Sequence, residues 1–202
     1  MIDFPGDFLK ALTFSLKWEV GADMKNGGYT NNPKDPGGET KWGISKRSYP
    51  HLDIANLTLD QAREIYYADY WQAKGNQESF CSEMPWPLNL VHFDCAVNIG
   101  NRKTAKDGSA VLHRRANMLL QRALGVDDDG WIGPVTYKAI AEGDPLRLAL
   151  KALTQRDFYY STLGSWAHEF TRGWLRRTND LRATVMHTTA PKLAMQASGG
   201  MN

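Results

Sequence analysis

Cysteine is scarce in this 202-residue chain, with only Cys81 and Cys95. Two thiols make no disulfide framework, and no histidine partners either at metal-ligand spacing, so the plain reading is two small buried or free thiols. His92, His113 and His168 do not form a zincin pattern, and there is no Gly-x-Ser-x-Gly elbow, P-loop or dinucleotide fingerprint. No metal and no cofactor is therefore expected. No apolar run reaches membrane-span length. Charge of one sign is thin too: 24 Lys and Arg against 22 Asp and Glu leave a net charge of +2. That excess favours approach to a polyanion but is far from the basic stripe of a nucleic-acid binder. Met1 to Lys10 carries Asp3, Pro5, Gly6 and Asp7 without a signal-peptide pattern. Synthesis in the cytoplasm, without the general secretory route, is the expectation.

Aromatics are plentiful, with seven Trp and eight Tyr. They supply flat stacking faces as well as core volume. The apolar fraction of 42% and charged fraction of 23% suit a globular protein. The length suits one domain, or one with a smaller lobe, around a sizeable core.

Helical periodicity dominates. Asp7 reads as an N-cap ahead of the stripe Phe8, Leu9, Leu12 and Leu16, which Glu19 continues. Residues 20–45 have no clean period and are rich in glycine and proline, which predicts turns and a short hairpin. Asp35-Pro36-Gly37-Gly38 suits a type II turn. Thr58 and Gln61 have capping-box spacing ahead of Leu59, Ala62, Ile65, Tyr66 and Tyr70, with Gly75 as the stop. After Pro85 and Pro87, Leu88 to Ile99 reads as a mostly buried helix closed by Gly100. Further helices are predicted over Ser109 to Leu124, capped by Gly125, from Asp144-Pro145 to Gly164, and over about 165–187. The fold class is mainly α, a helical bundle with a small irregular or β lobe near residues 20–45. The domain reading is a lobe over 1–86, a helical lobe over 87–187 and a disordered tail over 188–202.

Glu19 ends an amphipathic helix beside Trp18 and feeds into the glycine-rich, aromatic segment. A carboxylic acid so placed suits proton donation to a glycosidic oxygen, provided burial keeps it protonated. The same position also suits an ordinary solvated glutamate of a last helical turn. Asp35 is a candidate second carboxylate and equally a routine turn former, and Thr40 a candidate for positioning water or a plain strand residue. Glu39 and Asp23 compete, so residue type alone chooses no second catalytic group. Asp127-Asp128-Asp129-Gly130 fails the EF-hand register, which leaves an acidic loop between helices.

Leu16-Lys17-Trp18-Glu19, Gly27-Gly28-Tyr29, Asn32-Pro33, Asp35-Pro36-Gly37-Gly38-Glu39-Thr40 and Trp42-Gly43-Ile44-Ser45 together resemble the signature of glycoside hydrolase family 108. The resemblance continues through Asp69-Tyr70-Trp71, Phe93-Asp94 and Val97-Asn98-Ile99-Gly100. Leu119 to Val126, Asp129-Gly130 and Ile132-Gly133-Pro134 resemble the predicted peptidoglycan-binding half that accompanies it. The resemblance implies a lysozyme-like endolysin of phage or bacterial type. It would hydrolyse the β-1,4 bond between N-acetylmuramic acid and N-acetylglucosamine in peptidoglycan. By similarity Glu19 is the general acid, Asp35 and Thr40 complete a triad, and Tyr29, Trp42, Asp94 and Asn98 contact substrate. The family pattern runs Glu-Gly-Gly-Tyr unbroken, whereas Val20 to Asn26 intervene here, which leaves retention or inversion open. A monomer is implied, resident in the host cytoplasm until holin-dependent release to the periplasm and cell wall. The alternatives are a lytic transglycosylase on the same bond and a non-catalytic peptidoglycan-binding or secretion accessory protein.

Overall fold

The computed structural model describes residues 2–32, 37–72, 81–100, 103–104, 110–111 and 114–199, of which 103–104, 110–111 and 189–199 are described as backbone. Among these residues seven α-helices run in chain order as α1 (Gly6–Val20), α2 (Leu59–Tyr66), α3 (Leu88–Ile99), α4 (Arg115–Leu124), α5 (Pro134–Glu142), α6 (Pro145–Ser161) and α7 (His168–Gly199). Two short antiparallel pairs join β1 (Thr40–Lys41) to β2 (Ile44–Ser45), and β3 (Lys103–Thr104) to β4 (Ala110–Val111). The fold is mainly α and lysozyme-like, as expected. No helix among the described residues is long and apolar enough to cross a membrane.

Helix α3 is the axis. Every residue from Leu88 to Ala96 is buried, the mark of a helix enclosed on all sides. One buried cluster gathers Phe8, Leu12 and Leu16 of α1, Phe93 of α3, Leu120 of α4, Leu153 of α6 and Leu181 and Val185 of α7. The core therefore runs continuously across the Pro85–Pro87 break. Phe8, Trp71 and Phe93 meet edge-to-face at its centre, with ring centroids 5.5–5.9 Å apart. Both cysteines are buried and neither is in a disulfide among the described residues, and Cys81 Sγ donates to the Tyr70 carbonyl.

Several local signals act as expected. Thr58 and Gln61 close a reciprocal capping box, Asp144 accepts from the Arg147 amide, and Gly125 ends α4 in the left-handed region. Others differ. Pro5, not Asp7, occupies the first cap, and Asp7 lies in the opening turn, where its charge suits the helix dipole. Beyond α2 the chain widens into a π-turn over Tyr67–Trp71, and the expected stop at Gly75 lies outside the described residues. Ala110–Val111 is strand, so α4 starts only at Arg115. Helix α5 was not predicted, although Pro134 at its first turn is an ordinary start signal. Helix α7 continues to Gly199, where composition suggested disorder from 188. The run Lys192-Leu193-Ala194-Met195-Gln196-Ala197 consists of good helix formers.

His92 lies fully inside α3, and its Nε2 has no hydrogen-bond partner. Burial lowers its pKa to about 4, and a hydrogen bond with Asn117 only partly opposes this. The unfolded chain binds a proton near the ordinary value of about 6.5. The resulting stability is thus complete above pH 6.5 and is lost as pH falls towards 4, amounting to roughly 3 kcal/mol. Thermal unfolding followed from pH 7 to pH 4 should show a shallower decline for His92→Gln than for the wild type. Equal slopes would contradict this reading.

Candidate active site

Glu19 projects from the last turn of α1 and keeps a quarter of its side chain exposed. Two features hold this helix end. The first is the hairpin β1–β2, whose two-residue turn, Trp42-Gly43, has φ of 55° and 74°, the mirror-image geometry that suits strand twist. A tryptophan there is strained and needs compensation. Its ring is buried, its indole N–H donates to the Leu57 carbonyl and its own carbonyl accepts from the Tyr66 hydroxyl. Gly27 lies against that ring so closely that a Cβ would stand 2.5 Å from it. At the apex, a Cβ on Gly43 would meet the Tyr66 hydroxyl at 2.6 Å and Glu19 Cβ at 3.0 Å. The glycines thus let the hairpin close against Tyr66 and Glu19.

The second feature is a buried charge cluster. Arg177 of α7 donates from Nη1 to Glu19 Oε1 at 2.6 Å and from Nη2 to Asp94 Oδ1 at 2.6 Å. Arg156 of α6 donates to the other oxygen of Asp94 at 2.6 Å, and Ser15 of α1 adds a bond to Oδ1 at 2.9 Å. Arg156 also reaches Asn98 and the Tyr160 hydroxyl. Burial alone would raise the Asp94 pKa, but Arg177 and Arg156 outweigh it and hold the carboxyl below its usual range. Two guanidinium groups face two carboxyl groups, and Glu19 is the most exposed of the four.

Glu19 opens onto a cleft of about 50 Å³ lined by Gly43, Ile44, Ser45, Ser48, Tyr49, Tyr66, Tyr70 and Val97. That volume holds a water or two, so a sugar ring would lie across its mouth. Glu19 is the one carboxylate among the described residues lining it. Asp69 stands behind, accepting from Tyr49 at 2.8 Å.

The expected site residues divide accordingly. Thr40 is half-buried in β1, paired with Thr30 and Ser45, on the hairpin whose apex meets Glu19. Asp35 lies outside the described residues. Tyr29 is exposed and donates to Glu39 at 2.9 Å, a bond that raises the tyrosine pKa. Trp42 and Asp94 correct the expectation of substrate contact. The Trp42 ring is packed under Gly27, and Asp94 has no exposed surface, its oxygens being taken up by two arginines and a serine. Asn98 is half-buried at the end of α3, its Oδ1 turned to Arg156 and Tyr160. Asp23 bonds within its own turn, to the Asn26 amide. Arg156 and Arg177 were missed. The usable signal was position, since each sits in register with buried neighbours, Ala152 and Tyr160 for one and Leu181 for the other.

The fold and the acid-bearing cleft define a lysozyme-like glycosidase architecture, and comparison with known proteins agrees. Residues 22–100 match the family model Glycosyl hydrolase 108, and residues 115–179 match the model Predicted Peptidoglycan domain. The matches identify a glycoside hydrolase that acts on peptidoglycan. Glu19 lies three residues before the first match, and Arg177 lies inside the second. Among solved structures, SagA of Brucella abortus is similar at 26% identity and a TM-score of 0.67, covering 90% of this chain and 95% of that one. No curated protein matches the chain.

Removing one partner of a buried ion pair costs about 3–5 kcal/mol, because the other charge is left uncompensated. Asp94→Asn leaves two buried guanidinium groups facing a neutral side chain and should lose that much in urea unfolding. Glu19→Gln, at the exposed end of the cluster, should lose clearly less. Equal losses would contradict the cluster's layout.

Proposed function

We propose that the chain cleaves the β-1,4 bond between N-acetylmuramic acid and N-acetylglucosamine in peptidoglycan, with Glu19 as general acid. The observation carrying this reading is the position of Glu19, a carboxyl group held through Oε1 by Arg177 Nη1 and partly exposed on the cleft. To act as the acid it must carry a proton, which the bond at Oε1 leaves to Oε2. A leaving glycosidic oxygen needs a proton donor fixed in place. The α1 terminus, the Gly43 apex and Arg177 together restrict Glu19 as such a donor requires. Thr40 and Asp35 remain proposed partners for water or for developing positive charge. Tyr29, on the exposed face of the same lobe, is a proposed contact for the strand.

Lytic transglycosylation on the same bond is the second reading. It too needs one proton donor at the bond, the place Glu19 holds in this reading. Product masses separate the two: hydrolysis adds a water, and transglycosylation leaves an anhydro-muramic end lighter by one water.

Wild-type protein should release reducing ends from purified peptidoglycan. Glu19→Gln should release them about 10²–10⁴-fold more slowly, with the circular-dichroism spectrum retained. Equal rates would refute Glu19 as the acid. Intact strands with the wild type, together with retention on the wall, would favour a non-catalytic binding protein.

A further inference from the structure

Beside the candidate cleft lies a second pocket of about 260 Å³, with Asn98, Tyr160, Trp166 and Trp174 in its lining. The two sites adjoin along the chain, since Val97 lines the first and Asn98 the second. They are also connected by hydrogen bonds, because Asn98 and Tyr160 join the cluster through Arg156. Trp174 stacks on Tyr160 with centroids 5.1 Å apart, and Trp166 meets Trp174 at 73°. These rings form two walls of a corner. Trp166 is 66% exposed, far more than core packing explains.

Asn98 supplies the polar group. Arg156 can only donate, so the amide oxygen must face it, at 3.2 Å, and the Tyr160 hydroxyl donates to the same atom. The amide orientation is therefore determined by its partners. The Nδ2 hydrogens are left without a partner among the described residues, on a side chain that lines the pocket.

We propose that this pocket is a saccharide subsite for one N-acetylhexosamine unit of the glycan strand. Asn98 Nδ2–H donates to the acetamido carbonyl, and the Trp166 and Trp174 rings pack the apolar face of the pyranose. The volume, just under the roughly 300–1,000 Å³ of drug-sized sites, suits one ring. The inference rests on the glycan reading above but concerns binding, and is separable from cleavage. It also gives Asn98 a recognition role while its oxygen remains in the buried network.

The test is depletion of protein from solution by insoluble purified peptidoglycan, on ice, before and after chemical N-deacetylation of the glycan. Asn98→Asp keeps an oxygen for Arg156 and Tyr160 but replaces the donor with an acceptor. Trp166→Ala removes an exposed ring and remains informative if the first variant fails to fold. Each should need about ten-fold more peptidoglycan for half-depletion, and N-deacetylation should weaken the wild type but not Asn98→Asp. Wild-type retention by both variants, or wild-type retention that ignores N-deacetylation, would overturn the proposal. Absence of both reducing-end and anhydro-muramic products alongside N-acetyl-dependent retention would refute cleavage and support the subsite.

Discussion

The guanidinium of Arg177 is the contact on which the site depends. It spans Glu19 at the end of α1 and Asp94 inside α3, which no single ammonium can do with the same geometry. Asp94 in turn holds Arg156 and Ser15. Helices α1, α3, α6 and α7 therefore converge on one cluster. The orientation of the proposed catalytic glutamate thus depends on a residue 158 positions away in sequence.

This changes how the two matched regions relate. The peptidoglycan-domain match, residues 115–179, contributes Arg156 and Arg177 to the cluster and shares its core with α1 and α3. It is part of the cleft's construction. Aromatic residues of the same region form the proposed saccharide subsite one residue from the cleft lining. Binding of the strand and orientation of the acid then depend on the same network.

Much of the framework was legible in the sequence. Capping chemistry at Thr58 and Asp144, full burial of Leu88 to Ala96 and the glycine stop after Ile99 all follow local rules. Glu19 was visible as a carboxylate on an apolar stripe. The glycine-rich signature was visible too, but not its physical reason: Gly27 admits the Trp42 ring, and Gly43 admits Tyr66 and Glu19. What escaped was long-range. Asp94 and Trp42 carried the motif but serve the interior, where two arginines hold the one and Leu57 and Gly27 the other. Arg177 could not be paired with Glu19 by any spacing rule, since the contact exists only after α7 packs. The helix over 188–199 differs from the expected disorder because Lys192 to Ala197 are good helix formers.

The central claim is that Arg177 orients Glu19 by bridging two carboxylates. Arg177→Lys tests it most directly, with kcat and KM for reducing-end release measured beside a thermal melt. The account predicts a folded protein whose kcat falls by an order of magnitude or more with KM little changed, because one ammonium cannot hold both partners. A variant that folds and keeps the wild-type kcat would contradict it.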